Sequence, residues 1–166
     1  MSPVPAVGTR VGWGFDAHPL DGEPPLIVGG VSISDTIGVS ATSDGDVLAH
    51  AVTDAVLGAC VLADIGEHFP PGDPALAGAD SIDLLGQAAV MAIAAGWQIE
   101  HVDATVVVED VRIAPHRAEI QANLARALGI VPDLVSVKAT TTDGLGFIGR
   151  GEGLAAAAVV TVSALS

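Results

Sequence analysis

The chain has 166 residues, which fits one domain and leaves no room for a second of ordinary size. Acidic residues outnumber basic residues 20 to 6, and the formal net charge is -14. A surface this negative repels phosphate backbones and anionic lipids, which argues against nucleic-acid or membrane-surface binding as the main activity. Cys60 is the one cysteine of the sequence, so an intramolecular disulfide framework and a cysteine-based zinc site are excluded.

No targeting signal is visible in the sequence. The N-terminus lacks a basic segment followed by an apolar run, and it does not resemble a transit peptide. The most apolar stretch, residues 154–165, is too short and too polar to span a bilayer. We therefore expect a cytoplasmic protein.

The predicted core consists of small side chains. Half of the residues are hydrophobic, which argues against disorder, and most of them are alanine and valine. The aromatic residues expected in this core are Trp13, Phe15, Phe69, Trp97 and Phe147. Because small side chains bury little area each, we expect part of the stability to come from contacts between subunits.

Sequence patterns predict a flexible tail over residues 1–9 and a single domain over residues 10–166. The elements predicted in chain order are strands over 10–16, 26–28 and 31–33, a helix that starts at a capping box of Ser43 and Asp46 and runs to about 62, a mobile loop over 65–78, a helix over 81–95, a strand over 99–108, a helix over 115–129, and strands over 135–140 and 154–162. This order predicts an α/β sandwich with a mixed four-stranded sheet and helices on one face.

Three residues predict a metal site. Asp16 and His18 are two residues apart at a strand end, so both side chains point to the same face. His50 lies on the polar side of the first helix, with Asp46 and Asp54 one turn to either side. One carboxylate and two imidazoles match a catalytic zinc site with an open position. The alternatives are that His18 caps the following turn and that His50 belongs to a solvated helix face.

A second group of residues predicts phosphate binding. The run from Thr140 to Gly146 follows a strand, and its hydroxyls and glycine amides suit a phosphate, while Asp143 suits a hard cation such as Mg²⁺. Arg150 stands among glycines, although it is equally compatible with a simple pair with Glu152. The residues alone thus indicate a metal-assisted reaction on a phosphate ester.

The motifs are more specific in combination. The segments Gly14–His18, Ser43–Val47 with His50, Asp64–Gly66, Phe69–Pro70, Lys138–Gly146 and Gly149–Gly153 follow one another in order. Over about residues 10–163 the chain strongly resembles the 2-C-methyl-D-erythritol 2,4-cyclodiphosphate synthase family of the non-mevalonate isoprenoid pathway. The resemblance implies a homotrimer whose sheets pack around a threefold axis, with active sites at the subunit interfaces.

The resemblance also implies roles for individual residues. Zn²⁺ or another divalent transition metal would be held by Asp16, His18 and His50, and Mg²⁺ or Mn²⁺ bridging two phosphates would contact Asp143. Thr42 and Thr141 would be the catalytic positions. The cytidine-diphosphate-linked substrate would contact Asp16, His18, Thr42, Ser43, Asp64, Ile65, Gly66, Phe69, Asp73, Val108, Arg112, Ala114, Thr140, Thr141, Thr142, Asp143, Phe147 and Arg150.

Some positions depart from the family pattern. Thr42 stands where the family usually has a histidine, and the loss of one preorganised donor lowers a rate by roughly 10²–10³-fold. Asp143 replaces the usual glutamate. The segment from Val108 to Ala114 carries two acids, Glu109 and Asp110, and lacks a common proline, which questions the fit of the nucleotide.

Three functions are compatible with this pattern. The first is an active synthase that releases CMP and a cyclic diphosphate. The second is a weakly active or inactive trimeric paralogue that binds a nucleotide or an isoprenoid diphosphate. The third is a metal-dependent phosphoesterase or lyase that acts on a related substrate without cyclisation.

Overall fold

The computed structural model describes residues 7–166, and it contains six strands and five α-helices in that range. The strands are β1 (Thr9–Pro19), β2 (Leu26–Val28), β3 (Val31–Ser34), β4 (Trp97–Val107), β5 (Val135–Thr140) and β6 (Gly153–Ala164). The helices are α1 (Val47–Cys60), α2 (Ile65–His68), α3 (Ser81–Ala94), α4 (Arg117–Leu128) and α5 (Gly146–Gly149).

The main sheet is mixed and has the strand order β1-β6-β4-β5. Strand β6 is antiparallel to both β1 and β4, while β4 and β5 are parallel and joined through α4. Strands β2 and β3 form a separate hairpin. Helix α1 packs across β1 and β6, and α3 and α4 continue the helical layer beside it. The predicted mixed four-stranded sheet with helices on one face is therefore confirmed.

Strand β1 and helix α1 touch through their backbones. A Cβ atom built on Gly14 would lie 1.9 Å from the carbonyl oxygen of Ala51, and one on Gly12 would lie 1.9 Å from that of Ala55. Such distances leave space for glycine alone. The two glycines therefore fix how closely the end of β1 approaches the first turns of α1, where His50 lies.

The prediction that the aromatic residues lie in the core is correct for Trp97, which is 3% exposed, and wrong for most of the others. Trp13 is 65% exposed and Phe15 is 51% exposed, because odd positions of β1 point to the sheet face that the helices leave open. Phe147 is also exposed, and Phe69 is half-buried. Alanine, valine and leucine side chains fill the core instead.

Two local predictions are corrected by the capping contacts. The N-cap of α1 is Asp46, whose carboxylate accepts a hydrogen bond from the Ala49 N–H at 3.0 Å, and Ser43 plays no such part. The predicted loop over 65–78 contains α2 and a 3₁₀ turn over 74–76. Asp64 and Asp73 cap these short pieces, which a count of turn-forming residues does not reveal.

Other differences concern element ends. Strand β1 starts at Thr9, inside the predicted tail, and residues 1–6 of that tail lie outside the described residues. Helix α5 was not predicted, because four residues carry no periodic signal. None of the helices described over residues 7–166 combines the length and the apolar character that a membrane span requires.

Candidate metal centre and active site

Three predicted ligands converge at the start of α1. Asp16 and His18 project from the same face at the end of β1, and His50 reaches them from the first turn of the helix. Asp16 Oδ2 lies 2.9 Å from both His18 Nε2 and His50 Nδ1, and the two nitrogens are 3.2 Å apart. His50 lies more than 30 positions from Asp16 and His18 in sequence, yet the three side chains place three donor atoms around one point.

These atoms fit a divalent transition metal. Bonds of about 2.0–2.1 Å in a tetrahedral site separate neighbouring ligand atoms by about 3.3 Å, close to the three distances observed. Two imidazoles and one carboxylate leave a fourth position for a substrate oxygen. Among the described residues this is the one group whose donor atoms are close enough for a shared ion.

The electrostatics of the cluster also favour a cation. Burial raises the pKa of Asp16, but hydrogen bonds and charge from His18 and His50 lower it by more than burial raises it. The pKa of Asp16 therefore lies well below its usual range. Burial lowers the pKa of His50, and contact with Asp16 outweighs this and raises it. When each neutral ring carries its proton on the other nitrogen, lone pairs of the two rings and of the carboxylate face one another, and a divalent ion would relieve this repulsion.

The far side of the His50 ring is held by a chain of hydrogen bonds. His50 Nε2 lies 2.9 Å from Ser81 Oγ and 3.2 Å from Ser43 Oγ. The Ser81 hydroxyl, which is fully buried, donates to the carboxylate of Asp44, and that carboxylate also accepts the Ser81 N–H at 3.0 Å. Because the hydroxyl proton goes to Asp44, Ser81 Oγ accepts from His50 Nε2–H. The Nδ1 lone pair is thereby left for the metal.

We expect the substitution Ser81→Ala to lower zinc affinity by about 10–100-fold, because the ring of His50 loses the partner that sets its orientation and tautomer. Isothermal titration with Zn²⁺ measures this change. Ser43→Ala is the matched control, since its hydroxyl is farther from the same nitrogen and we expect a smaller loss. Equal zinc affinity in wild type and Ser81→Ala would show that the hydrogen bond from His50 to Ser81 does not support metal binding.

The ligand cluster opens into a cavity of about 350 Å³. Its lining includes several of the predicted substrate residues, namely Thr42, Ser43, Ile65, Gly66 and Phe69, together with Asp16, His18, His50 and Asp54. Asp54 Oδ1 accepts the Ile65 N–H at 2.7 Å and so fixes the start of α2 against α1. Burial raises the pKa of Asp54 despite that hydrogen bond.

A second cavity, of about 190 Å³, lies at the ends of β4 and β5. Predicted residues in its lining are Val108, Arg112, Ala114, Thr140 and Thr141. The turn that follows carries Thr142 and Asp143, and Asp143 adopts a left-handed φ of 53°. The Asp143 N–H donates to Thr141 Oγ1 at 3.2 Å.

A single chain divides the predicted site between these two cavities. Thr42 lines the first and Thr141 lines the second, and Asp143 lies outside the ligand cluster. The carboxylates of Asp64 and Asp73 are engaged as helix caps. Phe147 and Arg150 lie in and just after α5, where the Arg150 Nε–H donates to Glu152 Oε1 at 2.7 Å, the simple pair that the sequence left open.

Sequence reasoning missed some residues that organise the site. Sequence motifs assign no role of its own to Asp44, and Ser81 carries no signal because its partners lie 31 and 37 residues away. Glu109 is expected to be unfavourable for the nucleotide, yet its carboxylate contacts the loop after β5. Helical spacing predicts that Asp54 neighbours His50, whereas its contact with Ile65 is a feature of the fold.

Known proteins are similar to this chain over most of its length. The model of the YgbB family matches residues 9–163. A Bordetella avium (strain 197N) protein named 2-C-methyl-D-erythritol 2,4-cyclodiphosphate synthase is 53% identical over 154 residues, which are 93% of this chain and 95% of the relative. A protein of the same name from Pectobacterium atrosepticum is 51% identical over 150 residues, covering 90% of this chain and 91% of the relative.

Solved structures agree with this placement. The bifunctional IspDF from Campylobacter jejuni superimposes with a TM-score of 0.93 at 40% identity over 99% of this chain, which spans 44% of that longer protein. The Plasmodium falciparum IspF CDP complex gives a TM-score of 0.84 at 31% identity and covers 96% of this chain and 98% of its own. The chain therefore belongs to the YgbB family, together with relatives named 2-C-methyl-D-erythritol 2,4-cyclodiphosphate synthase.

Proposed function

We propose that the protein converts 4-diphosphocytidyl-2-C-methyl-D-erythritol 2-phosphate into 2-C-methyl-D-erythritol 2,4-cyclodiphosphate and CMP, as a lyase of isoprenoid precursor biosynthesis. Family membership over residues 9–163 is the observation that carries this proposal. The convergence of Asp16, His18 and His50 beside a cavity supports it, because the chemistry needs cations at the reacting phosphates.

The reaction is an intramolecular phosphoryl transfer. An oxygen of the 2-phosphate forms a bond to the β-phosphorus, and the bond from that phosphorus to the bridging oxygen breaks. CMP leaves with the electron pair of the broken bond, and the ring is closed. Alignment and neutralisation of charge lower the barrier of such a step, so a side-chain nucleophile is unnecessary.

The residues divide this work between the cavities. Asp16, His18 and His50 would hold Zn²⁺ or a related ion and Asp143 would contact Mg²⁺ or Mn²⁺, and these cations would supply positive charge to the phosphates. Thr42 and Thr141 donate hydrogen bonds to the reacting groups, one from each cavity. Ile65, Gly66 and Phe69 shape the space for the erythritol, and Val108, Arg112 and Ala114 shape that for the cytidine.

A homotrimer would unite the divided site. The open face of the main sheet exposes the apolar residues Val11, Trp13, Phe15 and Val159, and a second and third copy would cover it. We propose that the first cavity of one subunit then meets the second cavity of its neighbour. The assembly would work in the cytoplasm on a small-molecule substrate, without nucleic-acid or membrane partners.

Phosphorus NMR tests the function directly. Purified protein is incubated with the proposed substrate, Zn²⁺ and Mg²⁺, and the expected products are the cyclic diphosphate and CMP. Unchanged substrate would contradict catalysis, and inorganic phosphate or nucleotide without the cyclic product would contradict cyclisation. Omission of both cations is the control that measures the metal requirement.

We expect Thr42→His to raise kcat, by at most roughly 10²-fold, because a charged or stronger donor beside the cavity replaces a neutral hydroxyl. Steady-state CMP release measures the change. Ala41→His, which places an imidazole on the adjacent cavity residue, is the matched control and is expected to give no gain. A fall in kcat for Thr42→His would show that the site is adapted to threonine.

A further inference from the structure

Glu109 directly follows the wall of the second cavity and faces away from it. Val108, its neighbour in sequence, lines that cavity, whereas the carboxylate of Glu109 contacts the loop after β5. Glu109 Oε1 accepts the Gly144 N–H at 2.9 Å. Glu109 Oε2 accepts the Thr142 N–H at 3.1 Å and lies 3.4 Å from Thr142 Oγ1. One carboxylate thus binds two backbone amides of the same turn.

The turn that Glu109 holds is the one that carries the proposed phosphate and cation contacts. Asp143 and Gly144 have left-handed φ values of 53° and 78°, a conformation that is unfavourable for a residue with a Cβ atom unless its surroundings support it. Charge-assisted hydrogen bonds to the amides on both sides of Asp143 stabilise this conformation. The two amides that Glu109 binds belong to Thr142 and Gly144, which alternate along the chain with Thr141 and Asp143.

The same segment is bound to the loop at a second point. The Val108 N–H donates to the Thr140 carbonyl at 3.0 Å, so residues 108–109 contact the loop at both its start and its turn. The wall of the second cavity and the turn of Asp143 are consequently one connected unit.

We infer that Glu109 is a positioning residue that holds the turn of Thr141 and Asp143 in its reactive conformation and couples it to the nucleotide cavity. This inference rests on the proposed function. Glu109→Gln keeps the side-chain shape but leaves one acceptor oxygen for two amides, and its NH₂ group opposes the other N–H. Because a misplacement of about 1 Å costs roughly 10²-fold, we expect kcat to fall by about 10–100-fold while KM changes little.

The test compares wild type with Glu109→Gln, Glu109→Asp and the control Glu119→Gln. The control makes the same change of carboxylate to amide at an exposed residue of α4 that belongs to neither cavity lining. Steady-state CMP release gives kcat and KM, and thermal melting checks folding. The inference predicts a fall in kcat for Glu109→Gln, an intermediate fall for the shorter Glu109→Asp and wild-type kinetics for Glu119→Gln. Equal kcat in Glu109→Gln and Glu119→Gln, or a fall in kcat that only parallels a fall in melting temperature, would overturn it.

A binding measurement separates this inference from the proposed function. Calorimetric titration with CDP, with and without Mg²⁺, reports the link between the nucleotide cavity and the cation turn without turnover. We expect Mg²⁺ to strengthen CDP binding in wild type and in Glu119→Gln but not in Glu109→Gln. If wild type makes no cyclic product, the proposed function fails while this comparison still decides the role of Glu109. An equal Mg²⁺ effect in all variants, or none in wild type, would overturn the inference.

Discussion

Replacement of His18 by alanine is expected to abolish tight zinc binding and to reduce turnover by at least about 10³-fold. The remaining Asp16 and His50 provide two donor atoms, fewer than the three protein ligands of a catalytic zinc site. Lewis-acid stabilisation of transition-state charge is worth several kcal/mol, and each 1.4 kcal/mol corresponds to a factor of ten in rate. The loss of zinc affinity should exceed the roughly 10–100-fold loss expected when His50 loses its hydrogen bond to Ser81.

Two measurements check the expectation for His18→Ala. Isothermal titration with Zn²⁺ gives the affinity, and CMP release at saturating Mg²⁺ gives the rate. His116→Ala is the matched control, because it removes a histidine that belongs to neither cavity lining. Zinc binding and turnover close to wild type in His18→Ala would mean that the three side chains form a hydrogen-bonded cluster and no metal centre.

The ligand triad could be predicted from sequence because local geometry limits where its members lie. Residues two apart on a strand share a face, which placed Asp16 and His18 together, and the helix pattern placed His50 on a polar surface. The hydrogen bonds that join His50 to Ser81 and Asp44 could not be predicted in this way. Ser81 reaches that ring from a different helix, and no local pattern reports a contact across 31 residues.

The sequence predicts the long elements, in which the pattern of hydrophobic residues repeats many times, but not the structure that depends on a few tertiary contacts. The central strands and the three long helices follow from alternation and helical spacing. By contrast, Trp13 and Phe15 are hydrophobic yet exposed, since a single chain leaves one sheet face uncovered and composition cannot tell the two faces apart. Helix α2 depends on the cap from Asp64 and the contact of Asp54 with Ile65, which are matters of tertiary structure.

Replacement of Gly14 by alanine is expected to damage both the fold and the metal centre. Its Cβ would lie 1.9 Å from the Ala51 carbonyl oxygen, and separation beyond 3.0 Å requires α1 or β1 to move by more than about 1 Å. Overpacking of this kind costs about 1–3 kcal/mol or more in free energy of unfolding, which lowers Tm by roughly 2–12 °C in a chain of this size. The movement also displaces His50, the residue before Ala51, from Asp16 and His18.

The metal centre therefore makes Gly14→Ala more than a stability variant. We expect zinc affinity to fall by over about 10-fold at a temperature where the protein is still folded, measured by calorimetry alongside a thermal melt. Gly58→Ala, also in α1, is the control, because the added Cβ meets no atom within 4 Å. This substitution should raise the free energy of unfolding by about 0.5–1 kcal/mol, because alanine favours a helix more than glycine does. If Gly14→Ala melts early yet binds zinc as wild type does, the β1–α1 contact serves stability alone. If affinity falls as expected, the same backbone contact that closes the core also sets the spacing of the three ligands.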